Sequence, residues 1–152
     1  MAKEGFMKKR LTWLPVVLLV LGAAIYSPAK EALTKEAPVS KSISFAVYKG
    51  GNYSSEVYNN TSAQINIVVE KVNGKTRTTV WSKTFDAKLL NQYPGIEDAL
   101  SQKVTVPNVL GNKEHLEVTY TLTYNSKGSE LRMQSGTVVS GDVKTDKVDI
   151  SI

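Results

Sequence analysis

The chain has 152 residues, no cysteine and a formal charge of +5. The length suits one domain with its own core behind a leader, and the missing thiols exclude disulfides and thiolate metal sites. Four of the 19 basic residues (Lys3, Lys8, Lys9, Arg10) and one acid (Glu4) fall within residues 1–29, so the remainder is close to neutral; without a single-sign field on the body, nucleic acid is not an expected partner.

The first element is "MKKRLTWLPVVLLVLGAAIYSPAKEA", residues 7–32. Lys8, Lys9 and Arg10 precede an uncharged run from Leu11 to Ala29, and Ser27-Pro28-Ala29 puts small residues at −3 and −1 of a cut after Ala29. These are the three parts of a secretory signal peptide. The rival reading is a retained N-terminal anchor. As a helix, Leu11–Tyr26 would reach about 24 Å, short of a hydrocarbon core of roughly 30 Å, with Trp13 and Tyr26 at the two interfaces. Under that reading residues 11–26 contact the membrane. Both readings put basic residues ahead of the apolar run and so predict export of everything that follows, to a periplasmic, cell-surface or secreted location. Residues 30–41, KEALTKEAPVSK, are rich in Ala, Pro, Lys and Glu and read as a solvated linker.

From Ser42 the hydrophobic period becomes two. Ile43, Phe45 and Val47 share a face in "SISFAVY", as do Ile65, Ile67 and Val69 in "AQINIVVEKV". Trp81 and Phe85 share a face in "TVWSKTF", with Lys83 between them. "KVTV" alternates through Val104 and Val106, and "HLEVTYTLTY" from Leu116 to Tyr124. "ELRMQSGTVV" opens with Leu131 and Met133, and "KVDISI" carries Val148, Ile150 and Ile152. Such alternation predicts half-buried strands. Gly50-Gly51, Asn73-Gly74, Gly111-Asn112, Asn125–Gly128 and Gly141-Asp142 mark the turns, with Asn73-Gly74 the favoured dipeptide of a two-residue hairpin. Residues 86–102 break the pattern at Pro94-Gly95, and Ile96–Leu100 is read as a helical turn crossing between sheets. Val143 and Val148 are out of phase, which predicts a bulge or a change of sheet before the last strand. Residues 42–152 are thus expected to form an all-β antiparallel sandwich of seven or eight strands. The arrangement resembles an immunoglobulin-like or fibronectin-III-like domain, without the cysteine pair of antibody-type domains.

Catalytic equipment is hard to find. His115 stands alone, no G-x-S-x-G or phosphate-cradling glycine loop occurs, and Glu97-Asp98 are read as flanking a helical turn. The expectation is a protein that is not an enzyme and needs no cofactor. Asp142, Asp146 and Asp149 contain calcium-type oxygen ligands, but their spacing of four and three is not that of a calcium loop, and Lys144 and Lys147 interleave them. They read as a charged strand edge, and no metal site is assigned. The candidate recognition residues are Tyr48, Tyr53 and Tyr58, set among Gly, Asn and Ser in "YKGGNYSSEVYNNTS" (residues 48–62), together with Trp81. Tyrosine among small polar residues is the composition of binding loops; the structural alternative has Tyr53 and Val57 lining the core. Trp81 is expected in the core, with exposure pointing instead to a glycan or protein contact. Two functions are carried forward. One is a non-catalytic module for binding or structural assembly at the cell envelope, with a protein or glycan partner. The other is a secreted ligand-binding or enzyme-inhibitor domain using residues 48–62.

Overall fold

The computed structural model describes residues 37–139 and 143–152; the leader reading, most of the linker and Asp142 lie outside them. Seven strands form: β1 Val39–Tyr48, β2 Thr61–Asn73, β3 Thr76–Leu89, β4 Leu100–Val109, β5 Glu114–Ser126, β6 Ser129–Val139 and β7 Thr145–Ser151. Three single 3₁₀ turns occupy Glu56–Tyr58, Leu90–Gln92 and Ile96–Asp98. Among the described residues no helix is long and apolar enough to cross a membrane. The first strand begins at Val39, three residues ahead of the apolar alternation, because Val39 and Lys41 already pair with β4.

The strands make a three-stranded sheet in the order β4-β1-β7 and a four-stranded sheet in the order β3-β2-β5-β6. Alternation predicts the facing surfaces well on β1, β2, β5 and β7. Ile43, Phe45 and Val47 of β1, Ile65, Ile67 and Val69 of β2, Leu116, Val118 and Leu122 of β5, and Val148 and Ile150 of β7 are all buried in one cluster. The two 3₁₀ turns after β3 carry the chain from the four-stranded sheet to the other. The phase slip before the last strand falls where the chain crosses back, since β6 and β7 belong to different sheets.

Three expectations need correcting. The sandwich is not wholly antiparallel: β7 runs parallel to β1, from Ser42–Thr145 to Tyr48–Ser151. It arrives by a crossover from the other sheet rather than by a hairpin, and a crossover is the connection that permits parallel pairing. The β2–β3 loop is Gly74-Lys75, because Asn73 pairs with Thr76 as the last rung of the ladder. Gly74 has φ of 58°, which suits the first position of a type II′ turn. Finally, Leu131 and Met133 of β6 are 60% and 54% exposed. They do share the inner face of their sheet, opposite Tyr124 and Leu122 of β5. With three strands in the facing sheet, none of the described strands there lies opposite them.

The edges of the sandwich differ. On one side stand β3 and β4. β3 is interrupted by register shifts near Val80 and near Asp86-Ala87 and points Lys83 inward, where its ammonium sits 4.8 Å from the Phe85 ring centre and donates to Gln102 Oε1 at 2.6 Å. β4 carries a register shift opposite Ser40, at Pro107-Asn108, where Asn108 has φ of 58°. Bulges, a proline and inward charge are devices that discourage pairing with another strand. On the other side stand β6 and β7. The β5–β6 ladder runs from Leu116–Val139 to Ser126–Ser129 without a register shift, and the β1–β7 ladder is likewise continuous.

Candidate functional site: the β6 edge and its aromatic groove

Residues 50–60 leave β1 and return to β2 across the end of the sandwich. Gly50 N–H donates to Ile152 O at 3.0 Å, and Ile152 N–H to Tyr48 O at 2.9 Å. A Cβ at Gly50 would lie 2.0 Å from Ser151 Oγ, a hydroxyl that would have to rotate away. The Tyr53 hydroxyl donates to the same Ile152 carbonyl. Its ring meets that of Tyr58 edge to face, with centroids 5.1 Å apart, a favoured aromatic arrangement. Val57 then projects outward, 72% exposed.

This segment brings its side chains to the uncovered part of β6. Tyr53, Val57, Tyr58, Tyr124, Leu131 and Met133 line one apolar groove of about 520 Å³. Burial pushes the Tyr124 hydroxyl above its ordinary pKa, with Tyr53 and then Tyr120 adding to the effect; a phenol in such surroundings is held neutral. A second, smaller cleft of about 260 Å³ opens farther along β6, between Ser135–Thr137 and residues Asp146–Asp149 of β7. Together they mark the side where the four-stranded sheet overhangs the three-stranded one.

Backbone polarity along β6 follows from its hairpin. Lys127 and Gly128 form the two-residue loop, with φ of 49° and 82°, as a type I′ turn requires. The closing pair of such a hairpin, Ser126 and Ser129, exchanges both hydrogen bonds. Residues 129, 131, 133, 135 and 137 therefore turn their backbone groups toward β5. Residues 130, 132, 134, 136 and 138 turn theirs to the open edge. On the outer face Arg132 Nε donates to Glu130 Oε1 at 2.6 Å.

The four recognition candidates separate. Tyr53 and Tyr58 are in the groove. Tyr48 ends β1 in register with Ser151 and is not among the groove-lining residues. Trp81 is on β3, at the opposite edge of the four-stranded sheet. It is half-buried and stacks on Phe45, with centroids 5.5 Å apart and planes 7° from parallel, which closes the core on that side. Sequence reading missed Leu131 and Met133 as site residues, because alternation assigns a face without saying what covers it. It also missed Tyr93, a buried residue of the β3–β4 connection whose hydroxyl donates to Ala63 O at 2.8 Å.

Several of the other polar side chains pair with one another. On the outer face of the larger sheet, Arg77 bridges Glu117 and Glu70. His115 Nε2 lies 3.2 Å from Glu117 Oε1. The Arg77 hydrogen bond, and then His115, holds the Glu117 carboxyl below its usual range. Asp146 and Asp149, three apart on β7, project from opposite faces of the strand and do not converge; Asp149 pairs with Lys147 at 3.0 Å. Among the described residues no group of three or more His, Cys, Asp or Glu could hold a metal ion. The chain matches no protein-family model, and no curated protein or solved structure gives a match, so a functional reading rests on the chain's own geometry.

Proposed function

We propose that the chain is an exported, non-catalytic module for binding or structural assembly at the cell envelope, acting by strand addition at the β6 edge. The observation that carries this reading is the asymmetry of the edges. β3 and β4 bear bulges, Pro107 and inward Lys83, whereas β6 offers a continuous row of outward backbone groups beside uncovered Leu131 and Met133. An unpaired strand beside apolar side chains supplies both ingredients of strand addition: main-chain bonds for affinity and pockets for specificity. Seven strands divided four and three support an immunoglobulin-like or fibronectin-III-like type for the sandwich. The leader pattern of residues 7–29 supports export, followed by release or tethering through residues 11–26.

The experiment is site-specific cross-linking of the full chain in its native envelope. A photo-reactive residue in place of Gln134 on β6 is expected to give discrete adducts, and one in place of Thr79 on β3 none. Equal labelling at both edges, or none at either, would overturn the reading. A second reading has its own observation. The Tyr53–Tyr58–Tyr124 groove suits a secreted domain that takes a glycan or an enzyme surface, with Tyr53 and Tyr58 as contacts. In that case Tyr58→Ala abolishes capture of the partner while Gln134→Pro, which blocks the edge, leaves it intact.

A further inference from the structure

We infer that the occupant of the β6 edge is the β6 edge of a second copy of this chain, paired antiparallel about a two-fold axis at Leu131. The inference rests on the strand-addition reading above and adds the identity of the partner.

The register follows from the side chains. In a symmetric antiparallel pair, positions equally far from the axis face one another. With the axis at Leu131, Glu130 of each copy faces Arg132 of the other, so the two charge pairs form by symmetry from a single sequence. Both residues lie on the outer face, and both turn their backbone groups to the open edge. The 130–132 pairs are thus the hydrogen-bonded ones, with four main-chain bonds in all. On the inner face, Leu131 meets its symmetry mate in a non-hydrogen-bonded pair, where side chains approach most closely. Met133 faces Ser129.

An axis at Gln134 would use more of the strand, but it sets Leu131 against Thr137 and Glu130 against Val138. It therefore pairs neither charge with its opposite and leaves the exposed leucine against a hydroxyl. The Leu131 axis also joins the two grooves, because Tyr58 and Val57 border Leu131 in each copy. Glu130 and Arg132 already attract within one chain, so pairing exchanges partners without stranding a charge. The overlap, residues 129–133, is short. Pairing is accordingly weak and concentration-dependent, as suits a contact repeated between copies held on one surface.

The absence of cysteine makes the test clean, since a single introduced thiol has only its symmetry mate to meet. In full-length protein under mild oxidation, Leu131→Cys is expected to give roughly tenfold more disulfide dimer than Gln134→Cys or Thr137→Cys, as expected when one position is held near its mate and the others meet by collision. Charge reversal supplies the second arm, read by cross-linking through that same thiol. E130R and R132E each abolish the dimer alone, the two mixed together restore it as a heterodimer, and E130R/R132E in one chain restores it as a homodimer. Dimer that forms best at Gln134→Cys, or not at all, or that ignores the charge reversals, overturns the inference. If the purified protein behaves in that way while Gln134 still cross-links to another component in the envelope, the self-pairing fails and the strand-addition reading stands.

Discussion

Residues of similar hydrophobicity do different work here. Ile65 and Leu131 both lie on the inner face of the larger sheet, yet Ile65 is wholly buried and Leu131 is not. Ile65→Ala is expected to cost about 2–5 kcal/mol, the transfer and cavity terms together, whereas Leu131→Ala should stay within about 0.5 kcal/mol; urea midpoints of the two variants measure the contrast. Tyr93 anchors the β3–β4 connection through its bond to Ala63 O, and Tyr93→Phe should lose about 1 kcal/mol with an unchanged m-value. The Tyr93 hydroxyl is raised first by burial and then by Tyr124, and Tyr124 is raised as well. Groups whose folded pKa exceeds the unfolded value bind their protons more tightly when folded. Their stabilisation is complete below about pH 10 and is lost as pH climbs through the folded values. Stability measured against pH should therefore fall above pH 10, less steeply in Tyr93→Phe. On the acid side Glu117 is depressed and has the opposite sign, so its contribution fades as pH drops. That group is open to water, and its effect is small.

At the scale of elements, the strands differ in how far alternation alone describes them. β1, β2 and β5 are legible because both neighbours and a facing sheet exist, so an apolar face is also a buried one. β6 has the same pattern without the cover, and periodicity contains no signal for a facing strand that is missing. The parallel direction of β7 is set by where the crossover delivers the chain, although the slip between Val143 and Val148 did mark the change of sheet. Tyr53 and Tyr58 carried a compositional signal, but Tyr124, Leu131 and Met133 reach them only through the pairing of β5 with β6 and the return from β1. No local window contains that convergence. The backbone polarity assigned to β6 makes its own prediction. Gln134→Pro removes an N–H that faces the open edge, whereas Met133→Pro removes one that bonds β5 and leaves a carbonyl unpaired, at a cost of about 1–3 kcal/mol. Denaturation midpoints should therefore fall more for Met133→Pro than for Gln134→Pro; the reverse order would put the wrong residues at the edge.

Considered as a whole, the sandwich is closed on one side and open on the other. Trp81 stacked on Phe45 and the Lys83–Gln102 bridge draw the β3 and β4 edges together. Opposite them, among the described residues, the fourth strand of the larger sheet has no counterpart in the smaller one. The proposed export leader would bring this edge to the envelope, where copies held on one surface would let weak contacts add. The central claim is that the outward amides of β6 are the groups used. Amide hydrogen exchange at single-residue resolution, on dilute protein and again on the assembled form, tests it most directly. The account predicts that the Glu130 and Arg132 amides exchange quickly in the dilute state and gain protection on assembly, while β3 amides do not change. Protection gained on β3 or β4, or assembly that leaves the β6 amides as fast as before, would contradict it.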